Sequence, residues 1–310
     1  CLTDAPLTSG LWPDQKEASV DKDCWKVLHA AIRSADRRTP RAGRRPFYSD
    51  RRIVKMYFWC VAHDRPLCWA CERSSYGPMF RPRRLPSVSQ FCKRLKTPRV
   101  QRLIGLVHER LARLDGPTLL VFIDGKALPI SESSKDPDAR VGRGNGMFSR
   151  GYKMHALGGS DGRVLAFHVG PLNEGEPRIA RERLAAHTPR GSVVLADGNY
   201  DSKDLYTAID ERGAVLLTPQ KRNAGSEASM RGTSPARRRA MLLWRDRPEL
   251  MRRVYALRGQ IERTFSALTC FGGGLGPLPA WVRRLERVTR WVTAKVAIYN
   301  ARVTLRNNAS

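Results

Sequence analysis

The sequence predicts an α/β protein: one mixed five-stranded sheet with flanking helices, preceded by a smaller, mostly helical domain. Three observations predict it. From residue 118 onward short β-rich apolar runs come first in succession and then alternate with helical stretches, in the order β, β, β, α, β, α, β, before long helices close the chain. That order argues for a single mixed sheet with helices on its faces. Before about residue 115 the apolar residues recur instead at helical spacing. Asp115-Gly116-Pro117, a turn signal, separates the two textures. We therefore divide the 310 residues into a helical domain, 1–115, and an α/β domain, 116–310.

In the first domain Asp50 precedes an apolar-periodic segment from Ile53 to Val61. Ser87 is placed to cap a short segment carrying Val88, Phe91 and Leu95 beside Lys93, Arg94 and Lys96, and Val100 to Leu114 forms a third amphipathic stretch. Three short helices with basic residues on the second suit a helix-turn-helix-like DNA reader, and they equally suit a plain helical bundle with a solvated basic face. In the second domain the strands are 118–123, 152–157, 164–169, 192–196 and 214–217. Helices are expected over 177–186 and from Ser202 to the stop at Gly213. A loop follows around Gly225, and one helix runs from Pro248 through Glu262 to Leu268. After a break at Gly272–Pro279, a last helix extends from Trp281 to about Leu305. Trp281, Trp291 and Tyr299 follow its apolar spacing and read as core.

Lys and Arg number 56 against 29 Asp and Glu, a net charge of +27. An excess of that size points to a polyanionic partner. Local clusters such as Arg37, Arg38, Arg41, Arg44, Arg45 and Arg237, Arg238, Arg239 are not arranged as a membrane-binding amphipathic helix, and no apolar run is long enough to span a bilayer. Nucleic acid is the leading partner class, within the cell. Seven cysteines in a chain this long do not form a disulfide framework. The spacing Cys60-x2-His63-x4-Cys68-x2-Cys71 offers four zinc ligands, but its first pair falls in an aromatic run that reads as a core helix with ordinary buried thiols. His155, His168 and His187 lie in or beside strand and helix patterns and read as structural.

Two acids stand directly after buried strands, Asp124 after TLLVFI and Asp197 after SVVLA, each followed by Gly. Strand ends of an open sheet are where ligand sites form, and Gly there allows a sharp turn and a close approach. If the two strands are neighbours, the carboxylates share one edge and can hold a hard divalent cation. A third acid comes from a helix. In Tyr255-Ala-Leu-Arg258-Gly-Gln-Ile-Glu262 the spacing sets Tyr255, Arg258 and Glu262 along one stripe, beside an apolar stripe of Leu257, Ile261, Phe265 and Leu268. Lys126 and Lys153 are candidate phosphate contacts by location.

The motifs FIDGK around Asp124, LADGNYDS around Asp197 and YALRGQIERTF around Glu262 resemble those of the DDE transposases of bacterial insertion sequences. The resemblance covers roughly residues 118 to 300. That family's helix pattern of Tyr, Arg, Glu and Lys falls on Tyr255, Arg258, Glu262 and Thr269, so the fourth member is absent here.

The resemblance implies a ribonuclease H-like catalytic core in residues 116–310. It implies that Asp124, Asp197 and Glu262 are catalytic and hold two Mg2+ ions, with Mn2+ as a substitute. Phosphodiester hydrolysis and strand transfer need a polarised phosphorus, an activated water or 3′-hydroxyl and a relieved leaving oxygen, and two metals supply all three. The resemblance further implies that Tyr255 and Arg258 engage double-stranded DNA at the element's terminal inverted repeats, and that a homodimer holds two ends in a synaptic complex. The alternatives are a catalytically impaired, transposase-derived DNA-binding protein and a basic RNA- or ribosome-associated protein.

Overall fold

The computed structural model describes residues 21–308 apart from 41, 42, 44, 45, 114, 115, 117, 145, 220–230 and 271–273. The charge cluster at Arg41, Arg44 and Arg45, Leu114, most of the Asp115–Pro117 turn, the loop at Gly225 and the start of the break at Gly272 lie outside the described residues.

Four helices come first. α1 (Lys22–Arg38) is capped by the Asp21 carboxylate and α2 (Asp50–Ala62) by the Ser49 hydroxyl. α3 (Val88–Leu95) carries the expected Ser87 cap as a full capping box with Gln90, and α4 (Pro98–Ala112) begins at a proline. α1 was not individually predicted; the other three were. Buried Asp50 joins these helices: it pairs with Arg94 and Arg99, and Arg99 also reaches Asp36 at 2.8 Å.

The sheet contains β1 (Leu120–Pro129), β2 (Arg140–Gly144), β3 (Met147–Gly159), β4 (Val164–Pro171), β5 (Val193–Ala196) and β6 (Val215–Leu217). The five predicted strands form it in the spatial order β4-β3-β1-β5-β6, the first three antiparallel and the last two parallel to β1. β2 is an addition. β3 is long enough to pair with β2 through its first residues and with β4 through the rest. The sequence hid β2 because its apolar residues face water: Val141, Met147 and Phe148 on this hairpin are all exposed.

Between β4 and β5 lie α5 (Glu176–Ile179), a π turn over 180–184 and a short 3-10 turn, which together fill the expected helix. α6 (Lys203–Glu211) follows, stopped by Gly213 at φ +71°. α7 (Pro235–Asp246) was not expected. α8 (Pro248–Ala256) and α9 (Gly259–Cys270) replace the single predicted helix from Pro248 to Leu268. The chain between them tightens into hydrogen bonds from Leu257, Arg258, Gln260 and Ile261 to residues three back, and Gly259 is a weak helix former at the junction. Leu257 consequently leaves the apolar stripe and is exposed, while Ile261 and Leu268 are buried as expected. α10 (Leu285–Asn308) closes the fold. Trp291 and Tyr299 are buried on it, but Trp281 precedes it and is exposed.

Two apolar clusters flank the sheet. One joins α1–α4 and α10 to Tyr152, Met154, Val164 and Val169 of β3 and β4. The other joins β1, β5 and β6 to α6, Met251 and Ile261. α10 also completes β4: buried Asn300 donates to the Val164 carbonyl at 2.8 Å and accepts from its N–H at 3.0 Å.

Cys60, His63, Cys68 and Cys71 are not arranged around a common point in the structure. Among the described residues no three His, Cys, Asp or Glu side chains are arranged to hold a metal ion. Cys60 donates to the Arg65 carbonyl, Cys71 to that of Leu67, and His63 packs between Trp59 and Trp69. These groups serve the core, and burial pushes the Cys71 thiol up to about 11.

Candidate active site

The parallel pairing of β1 with β5 runs from Leu120↔Val193 to Ile123↔Ala196. The next residue on each strand is an aspartate, so Asp124 and Asp197 emerge side by side on neighbouring strands, at a backbone spacing of about 4.8 Å. The expectation that Asp124 follows its strand is corrected. β1 continues to Pro129 because β3 keeps pairing with it, and only β5 stops. Asp124 therefore stands where the sheet loses a neighbour, held on rigid backbone rather than in a turn.

Each aspartate is oriented locally. Asp124 Oδ1 accepts from the Gly125 N–H at 2.7 Å, and Asp197 Oδ1 accepts from the Asn199 N–H at 2.8 Å as it caps the turn over Gly198–Tyr200. Burial raises the Asp124 carboxyl to about 6, against the pull of the Gly125 N–H and Arg258; the negative charges of Asp197 and Glu176 add to the rise. Asp197 is raised in the same way, by burial and by Glu176.

The third acid comes from α9. Glu262 is exposed and meets the aspartates through Arg258, whose guanidinium donates to Glu262 Oε1 at 2.8 Å and to Asp124 Oδ2 at 3.2 Å. The helix break makes this bridge possible, because Arg258 lies in the turn between α8 and α9 rather than on a common stripe. Tyr255 stacks near Arg258, with the cation 6.0 Å from the ring centre. The structure thus brings Asp124 and Asp197 together directly and ties Glu262 to them by a cation.

A cleft of about 500 Å³ opens beside the aspartates, lined by Asp124, Arg143, Lys153, Glu176, Asp197 and Asn199 among others. Lys153 lies in it, its ammonium 2.8 Å from Glu176. Lys126, two residues after Asp124 on β1, is half-buried. Its amine is lowered by that burial, and Cys270 at the end of α9 is its electrostatic neighbour. Thr269, at the position of the family lysine, spends its hydroxyl on the Phe265 carbonyl. The sequence reading missed Glu174, Glu176, Asn199 and Tyr200. The first two show as an acidic pair just before Pro177, where attention to helix capping hides them as ordinary first-turn acids.

Asp124, Asp197 and Glu262 offer the hard oxygen donors that a divalent cation takes, beside a polar cleft. With Arg258 seated between Asp124 and Glu262, no three acids stand together as a ready cation site among the described residues. In this conformation Arg258 and Lys153 carry the balancing positive charge.

Residues 115–301 match the family model described as the transposase DDE domain. Over 89 residues the chain is 35% identical to the transposase for insertion sequence element IS1106 of Neisseria meningitidis serogroup B, a match covering 29% of this chain and 29% of that protein. The chain therefore spans under a third of that relative's length. The fold is similar to that in the synaptic complex of piggyBac transposase with hairpin DNA, with a TM-score of 0.50 at 10% identity over 92% of this chain and 74% of that one. At that identity the likeness is one of fold, and it agrees with the mixed sheet and flanking helices expected from the sequence.

Proposed function

The chain belongs to the transposase DDE domain family, and from that premise we propose that it is a transposase that cuts and joins DNA at the terminal inverted repeats of its own insertion element. Asp124, Asp197 and Glu262 are the residues that would hold two divalent cations, Mg2+ or Mn2+. The observation carrying this reading is the register of β1 against β5, which sets two aspartates 73 residues apart in the chain next to each other.

Bound cations supply Lewis-acid polarisation of the scissile phosphate and charge relief at the attacking and leaving oxygens. The chain's own residues do the rest. Burial keeps Asp124 and Asp197 poorly hydrated, so their oxygens gain by binding a cation. Arg258 gives up Asp124 and Glu262 and turns to a DNA phosphate, with Tyr255 beside it against the terminal bases. Lys126 and Lys153 contact the backbone of the bound end. Residues 1–115 bring further DNA-binding surface. Around a cleft of about 230 Å³, Ser49, Arg51, Arg52, Lys55, Arg81 and Arg83 converge at the start of α2. A homodimer holds two ends at once. No helix among the described residues is long and apolar enough to cross a membrane.

The test is Mg2+-dependent nicking of duplex DNA carrying the element's ends. The wild type is expected to cut, and Asp197→Ala is expected to lose at least about a thousand-fold in rate while binding the DNA with unchanged affinity at matched salt. Cutting that survives this substitution, or that needs no divalent cation, sinks the reading. Thr269 favours a second reading, a DNA-binding protein that no longer cuts, because it offers no cation at the family lysine's position. End-specific binding without any nicking by the wild type selects it.

A further inference from the structure

The cleft contains a carboxylate that three-acid chemistry leaves unused. Glu176 opens α5 and lines the cleft with Asp124 and Asp197. It lies against the chain at both aspartates: a Cβ at Gly125 would stand 3.3 Å from Glu176 Oε1, and α5 packs on the Gly198–Tyr200 turn that follows Asp197. The three acids line one cleft, and Glu176's charge raises both aspartates, although in this conformation no three acids among the described residues stand close enough to hold a metal ion. Among the described residues Glu176 pairs with Lys153 at 2.8 Å, with 11% and 19% of the two side chains exposed.

A second observation is independent of the acids. Tyr200 is fully buried, and its hydroxyl has no hydrogen-bond partner among the described residues. Its charged neighbours are Glu176, Asp124, Asp197 and Arg258, so the hydroxyl lies within the field of these acids. A buried hydroxyl left unpaired is costly and is retained where a ligand-bound form gives it a partner.

On the reading proposed above, we infer that Glu176 is a fourth carboxylate of the divalent-cation cluster, held by Lys153 in the cation-free form and oriented by the Tyr200 hydroxyl once a cation draws it from Lys153. Two divalent cations carry more positive charge than Asp124, Asp197 and Glu262 offset, and Glu176 makes up the difference. Lys153, released, is free for a DNA phosphate.

The experiment is Mn2+ binding to the full chain without DNA, at low salt and pH 8, followed by the electron paramagnetic resonance of free Mn2+. Glu176→Gln is expected to weaken binding by about 10- to 100-fold and Tyr200→Phe by about 10-fold, while Glu176→Asp recovers part of the loss. Lys153→Gln is expected to tighten binding, since it frees the carboxylate. If Glu176 serves only as a structural partner of Lys153, the two substitutions act alike instead. Glu182→Gln, on the next turn and exposed, controls for net charge and stays within about twofold. The inference is overturned by wild-type affinity in Glu176→Gln, or by Lys153→Gln weakening binding as Glu176→Gln does. The underlying reading fails separately, and takes this inference with it, when wild type binds Mn2+ no better than the Asp124→Asn, Asp197→Asn double variant. Circular dichroism of each variant confirms that the fold is retained.

Discussion

Arg258 and Lys153 occupy matching roles at the site, each a cation laid against carboxylates that crowd one another. Charge that is buried must be paired, and here the chain supplies the paired cations from its own side chains. Buried histidines on the opposite side of the ledger stay neutral. His108 packs its ring 5.0 Å from Phe167 with Nδ1 unpartnered, and burial, with His187, lowers it to about 4; His155, fully buried between β1 and β4, is lowered to about 3. Between about pH 6.5 and 4 the unfolded chain takes up protons at His108 that the folded chain refuses, so stability falls as pH falls through that window. Asp124, raised to about 6, acts with the opposite sign over part of the same range. Comparing His108→Leu with wild type cancels that contribution. The variant is expected to lose about 3 kcal/mol less on going from pH 7 to pH 4 in urea unfolding. Parallel pH profiles for the two proteins would count against a neutral buried His108.

At the scale of elements, long-range polar contacts decide how the pieces lock together. Asp136 and Asp138 accept from the Arg284 and Leu285 N–H groups at the start of α10, and the Tyr152 hydroxyl donates to Asp136 at 2.7 Å. Farther along α10, Asn300 answers both backbone groups of Val164 in β4. Asn300→Leu leaves a buried N–H and a buried carbonyl without partners, so it is expected to cost about 3 kcal/mol in urea unfolding. A cost below about 1 kcal/mol would mean that water or a shifted side chain satisfies them. The break between α8 and α9 is the element-level feature that most affects the site. Spacings of three and four suit Tyr255, Arg258 and Glu262 on one continuous helix just as well as on two, so periodicity could not reveal it. Gly259 and the exposed Leu257 were the available signals.

At the scale of the whole molecule, a charge of +27 is the dominant property. It is concentrated as well as large. His29, Arg33, Arg51 and Lys55 gather where α1 meets α2, and burial, with Arg51 and Arg33, lowers Lys55 to about 8. Cations forced together in this way are relieved by a polyanion. Each of Arg51→Gln, Lys55→Gln and Arg81→Gln is therefore expected to reduce the slope of log affinity against log salt for duplex DNA by about 0.9. Unchanged slopes in all three would remove this surface from the DNA track. The sequence by itself determined the five strands of the mixed sheet, the helix capped at Ser87, the helices that start beside Asp50 and Ser202, and the places of Asp124 and Asp197 beside buried strands, because periodicity, caps and strand-end acids are local signals. Only the tertiary structure decided that Ile123 faces Ala196, that Arg258 bridges Asp124 to Glu262, that Glu176 lines the cleft beside the aspartates, and that buried Tyr200 has these acids as its charged neighbours. Those facts depend on register between segments tens of residues apart, which is settled by burying both apolar faces of the sheet at once and leaves no mark on any short stretch of chain.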